Sequence, residues 1–133
     1  MRRVVIAFVA AVALSGPLVR AHHSFAAEYD ATRPIAFTGT VTKVEWLNPH
    51  VRFFLDVKDE RGAVTSWELT MGSATGLVRR GWTRDLLKPG AIVKVDGYRA
   101  RDGSNLANLR TVTFGDGRRM FTGAPPDAPG GNR

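Results

Sequence analysis

Two adjacent histidines, His22 and His23, stand in the stretch "VRAHHSFAAEYD" (Val19 to Asp30), and the only other histidine, His50, follows Asn48-Pro49. If a signal peptidase cuts after Ala21, His22 becomes the first residue of the processed chain. Its α-amine and its ring nitrogen can then grip one metal ion as a chelate. His23 can add its imidazole or its backbone amide, and His50 can add a third donor from a loop. Imidazole and amine donors suit copper first, with nickel and zinc behind it in affinity. Two histidines near a chain end are also commonly plain polar residues, and His50 can be spent on hydrogen bonds within its own turn. Glu28 lies close enough in sequence to orient an imidazole from behind.

A second group can hold a ligand without metal. Trp46 and Asn48 precede His50, while Tyr98, Arg99, Arg101, Asp102 and Asn105 cluster further on. The latter set offers donors and a carboxylate suited to a small anion or a peptide, although Asp102-Gly103 is also ordinary turn chemistry. Catalysis has little support. Ser104, Asp102 and His50 can be written as a triad, but no nucleophile elbow surrounds Ser104 and a triad is defined by geometry. "GYRARDG" lacks the strand-to-helix context of a phosphate-binding loop.

The site depends on processing. The chain opens with Met1-Arg2-Arg3, an eleven-residue apolar run from Val4 to Leu14, then Ser15-Gly16-Pro17. This is the charged start, apolar middle and helix-breaking end of a secretory signal, and the run is far short of the ~20 residues that span a bilayer. We therefore expect a general-secretion signal over residues 1–21, a periplasmic or secreted product, and no transmembrane segment after cleavage. Val19-Arg20-Ala21 satisfies the small-residue rule for a cut after Ala21. Ser24-Phe25-Ala26 offers a rival cut after Ala26, which leaves a longer polar stretch between the apolar run and the cut.

Cysteine is absent from the 133 residues. That excludes disulfides, thiolate metal sites, a thiol nucleophile and a lipidated amino terminus, so the domain must rest on its core. Of 19 basic residues, Arg2, Arg3 and Arg20 leave with the signal; 16 remain against 12 acidic ones, a net +4. An excess of that size favours solubility and attraction to anionic surfaces. Nucleic acid is not an expected partner outside the cytoplasm, and Arg79, Arg80 and Arg84 read as a solvated helix face.

The elements that must position these residues are mostly strands. Residues 22–33 read as an irregular lead. Ile35, Phe37 and Val41 alternate with polar residues, then the apolar phase shifts to Val44 and Trp46, which with Gly39 predicts a bent or bulged first strand. Val51, Phe53, Leu55 and Val57 mark the second strand, residues 63–70 the third. Between the third and fourth, Ser73 can cap a short helix through Leu77 and Val78 that Gly81 ends. Ile92, Val93, Val95 and Tyr98 mark the fourth strand, Leu106, Leu109, Val112 and Phe114 the fifth, and residues 118–121 a short sixth. From Thr122 to Arg133 the Pro/Gly-rich chain reads as a disordered tail. Trp82 has the bulk to plug one end of a barrel. Aromatics such as Phe54 and Trp67 can form a stacking platform, but their place in alternating strands suits a core.

The predicted fold is mainly β: a five- to six-stranded, OB-like Greek-key barrel over residues 34–121, with a short helix between strands three and four. The alternative is an open antiparallel sheet covered by one helix; closure removes exposed edges. In an OB-fold the loop carrying Asn48 to His50 and the loop between strands four and five flank the usual binding face.

The motifs "HHSFAAEYD", "VTKVEWLNPHVRFFLDV", "RRGWTRDLLKPG" and "VDGYRARDGSN" together resemble a family of small exported bacterial proteins classed as a domain of unknown function. The similarity covers about His22 to Phe121 and implies export and the barrel, but no activity. The proposed His22 site itself resembles the amino-terminal histidine brace of copper proteins. The expected function is thus a non-catalytic binding protein of the envelope, holding copper through His22, His23 and His50. The alternative is a metal-independent module for an envelope protein or small ligand.

Overall fold

The computed structural model describes residues 24–123 and 128–129. The expected signal peptide, His22 and His23 lie outside the described residues. So does most of the expected tail.

The protein is mainly β. After one helical turn, α1 (Phe25–Glu28), come β1 (Tyr29–Glu45), β2 (Arg52–Lys58), β3 (Val64–Thr70), α2 (Ala74–Arg79), β4 (Ile92–Ala100), β5 (Leu106–Phe114) and β6 (Arg119–Phe121). The strands pair antiparallel in the order β3-β2-β1-β4-β5-β6, and β3 also pairs with β5 in parallel, so β1 to β5 close into a ring. Among the described residues, no helix is long and apolar enough to cross a membrane.

One long strand serves two neighbours. β1 pairs with β4 through residues 34–40 and with β2 through residues 40–45; Thr40 is opposite both Ile92 and Asp56. The register shifts between Val41 and Lys43, which explains the change of apolar phase in the sequence. Gly39 permits the crossing: a Cβ there would lie 2.5 Å from the Asp56 carbonyl oxygen.

Period-two alternation then sets the core. Val51, Phe53 and Leu55 are fully buried, as are Leu69 and Leu109, and Trp67 joins them. Val64 has the opposite parity to Trp67 and is exposed, which settles the facing of β3. Ser73 caps α2 by accepting from Gly76 N, and Gly81, with φ of 87°, follows its C-cap. Trp82 is buried in the core and donates from Nε1 to the Phe121 carbonyl at 2.8 Å.

The described part of the lead, residues 24–33, is not irregular: it forms α1 and the start of β1. Ser24 caps α1, and Phe25 and Tyr29 bury themselves with Ala100 and Ala128 in a second apolar cluster, flanked by Tyr98 and Leu106. Burial of two aromatic rings offsets the cost of ordering a short segment. The body also continues past Phe121: Thr122 is fully buried, donates from N to Arg110 O, and accepts from Gly72 N through its own carbonyl.

Candidate functional site

Two loops and the docked lead carry the residues singled out above. The β1–β2 loop begins at Trp46, a half-buried ring that packs against the core while the Arg84 guanidinium sits 5.8 Å from its centroid. Its indole Nε1 is buried and lacks a hydrogen-bond partner among the described residues. Leu47, Asn48, Pro49 and His50 are exposed, and the Asn48-Pro49 bond is cis. The loop is pinned where β2 begins: Val51 N donates to Gly72 O, and Met71 N to Val51 O. Among the described residues none hydrogen-bonds the His50 ring, so its donor nitrogen is not spent on the turn.

The β4–β5 loop is organised by Arg99. Its side chain turns inward, 5.1 Å from the Trp67 ring centroid. It donates from Nε to Ser104 O at 3.0 Å, and from Nη2 to Gly103 O at 2.5 Å and to Asn105 Oδ1 at 3.1 Å. Asp102 accepts from Ser104 N at 2.9 Å, and Ser104's side-chain and backbone donors hold its carboxyl below the ordinary range. Arg99, Asp102 and Asn105 are thus brought together, and each has partners inside its own loop. This is turn architecture first.

Tyr98 and Arg101 serve the lead instead. Phe25 stacks on Tyr29 and meets Tyr98 edge-on, both at 5.6 Å between centroids. Arg101 donates from Nε to Ala26 O at 2.6 Å, and its backbone N to Glu28 O at 3.0 Å. The Tyr29 hydroxyl donates to Thr70 Oγ1 at 3.3 Å. Burial raises the Tyr29 pKa; the Thr70 bond opposes this, and the nearby Glu28 and Glu68 carboxylates add to it. Tyr29 therefore links the lead to the end of β3, where Thr70 is opposite Arg52. His50 lies two residues before Arg52 in the chain.

Sequence reasoning missed this docking, although the i, i+4 spacing of Phe25 and Tyr29 was a usable sign. It also missed two ion networks. On the outer face of β1–β2–β3, Arg52 bridges Glu45 at 2.5 Å and Glu68 at 2.9 Å, and Lys43 joins Glu45. On the outer face of β4–β5–β6, Asp96 receives Arg110, Arg119 and Thr111. Both need cross-strand register to be seen. Among the described residues there is no group of three His, Cys, Asp or Glu placed to hold a metal ion; of the three expected histidine ligands, only His50 is among them.

The chain belongs to the family of unknown function DUF6152, whose model matches residues 9–109. No curated protein matches it.

Proposed function

We propose that this member of the DUF6152 family is an exported, non-catalytic binding protein of the periplasm. In this reading it holds a transition metal, copper first, through the α-amine and imidazole of His22 with His23 and His50. One observation carries the reading: Phe25 is 3% exposed, within the second apolar cluster. A cut after Ala26 would remove Phe25 together with the carbonyl that Arg101 holds, leaving Tyr29 and Tyr98 without the ring they pack on. A cut after Ala21 keeps the cluster whole and leaves His22 two residues from the Ser24 cap. Two residues reach ~7 Å when extended, so the anchored lead restricts where the new amino terminus can go.

The donor set fits the metal. Neutral imidazole and amine are borderline ligands of the kind copper prefers, and the His50 ring is exposed, with no hydrogen bond among the described residues to give up. The bound ion would supply a cross-link between lead and loop, favouring the folded state by mass action. The metal-independent alternative relies on the Asn48–His50 loop together with the Arg99–Asn105 loop; the polar groups of the latter already bond one another, so it ranks second.

Intact mass of the processed protein, followed by calorimetric titration with Cu(II), tests the reading. The expected result is a start at His22 and one tight site, with His50→Ala losing the copper-induced rise in melting temperature. A start at Ala27, or no stoichiometric site, ends it.

A further inference from the structure

The two outer faces of the ring differ in charge. Lys43, Arg52 and Lys58 on β1–β2 are matched by Glu45, Asp56 and Glu68 on β1–β2–β3, three against three. On β4–β5–β6 the balance is broken. Val93 and Val95 point inward, so Ile92, Lys94 and Asp96 point out. Register aligns Lys94 with Thr113 and Thr113 with Arg119, then Asp96 with Thr111 and Thr111 with Phe121. Arg110 joins this face through its ion pair with Asp96. Three cations meet one carboxylate.

That carboxylate is also the most covered of the charged groups paired there. The Asp96 side chain is 21% exposed, beneath Arg110 at 44% and Arg119 at 56%. Solvent therefore meets the positive groups. Beside them stand Ile92, 63% exposed, and Phe121, 50% exposed, two of the five large apolar side chains that the described residues leave open to water. Lys94 and Arg119 lie in the row between them.

We infer that the outer face of β4–β5–β6 docks on an anionic lipid bilayer surface. Lys94, Arg110 and Arg119 meet the phosphates, and Ile92 and Phe121 enter the headgroup boundary. Each juxtamembrane cation strengthens binding to an anionic surface roughly fivefold, and apolar side chains flanking cations add burial that an aqueous polyanion does not offer. An acidic protein partner would use the cations but has no need of two separated apolar pegs. This inference is independent of the copper reading, since it uses no histidine.

Flotation with vesicles of phosphatidylglycerol and phosphatidylcholine, against phosphatidylcholine alone, tests it. Wild type is compared with Lys94→Glu, Phe121→Ser and, on the opposite outer face, Lys58→Glu. All four proteins are purified in the same form, so the apolar run Val4–Leu14 contributes equally wherever it is retained. Expected is salt-sensitive binding to the anionic vesicles only, weakened roughly tenfold or more by Lys94→Glu, weakened by Phe121→Ser, and unchanged by Lys58→Glu. Absence of binding overturns the inference, as does an equal loss with Lys58→Glu, which would mean attraction by net charge alone. Capture of an acidic protein by wild type and not by Lys94→Glu, without vesicle binding, overturns it in favour of a protein partner.

Discussion

The Nε of Arg101 donates a hydrogen bond to the backbone carbonyl of Ala26 at 2.6 Å, joining residues 75 positions apart. The contact ties the start of the described chain to the end of β4. With Phe25 and Tyr29 packed in the second apolar cluster, it makes the lead part of the body.

Replacing Arg101 with alanine removes one charge-assisted bond at an exposed position. A loss of about 1 kcal/mol is expected, toward the low end for such bonds because solvent competes. Hydrogen exchange should show lost protection at Ala27, whose N–H bonds Ser24, while amides of β2 stay protected. Unchanged exchange at Ala27 would mean that the aromatic cluster alone holds the lead. If the copper reading is right, the same variant also weakens Cu(II) binding.

Tyr29 makes the docking sensitive to alkali. Burial, the largest cause, raises its phenol above the ordinary value of 10.0, with Glu28 and Glu68 reinforcing the shift against the Thr70 hydrogen bond. A phenol whose pKa is higher folded than unfolded lends stability that is fully present below the unfolded value and is lost as pH rises through the folded one. Melting temperature should therefore fall above pH ~10. Tyr29→Phe should reduce that fall, at a cost of about 1 kcal/mol at neutral pH for the lost Thr70 bond. Absorbance titration of the phenolate checks the direction.

Gly97 is a close-approach site. A Cβ there would stand 2.1 Å from the Asn108 carbonyl oxygen and 2.8 Å from the Leu109 Cα, at the register shift between Asp96 and Gly97. Backbone cannot step aside as a side chain can. Gly97→Ala should cost about 3 kcal/mol, at the upper end for overpacking, and a urea unfolding curve measures it. Gly90→Ala makes a useful contrast: no atom lies within 4 Å of its added Cβ, and its cost comes from a φ of +91°.

Much of the ring was legible because alternation is a local signal. Val51, Phe53, Leu55 and Val57 declare one face of β2 by parity alone, and the shift from Val41 to Val44 declares the bulge in β1. Gly81 after an apolar helical face marks the end of α2. The docking of the lead was not legible: the i, i+4 spacing of Phe25 and Tyr29 hints at one apolar face, but their partners, Tyr98 and Ala100, come some seventy residues later. The donors of Arg99 are plain in the sequence, but their partners are not: the structure sets its guanidinium against Trp67 and the carbonyls of its own loop.

By itself, then, the sequence determined the mainly β class, the succession of strands along the chain and the inward residues, because a period of two is written in adjacent side chains. It also set the ligand chemistry available to the protein: three histidines and no cysteine. Only the tertiary structure decided which strands are neighbours, hence that Asp96 lies under Arg110 and Arg119 and that one outer face is cationic while the other is balanced. It alone decided that the lead docks at Arg101. Those outcomes depend on register between segments far apart in the chain, and a slip of one residue would send every one of those side chains to the other face.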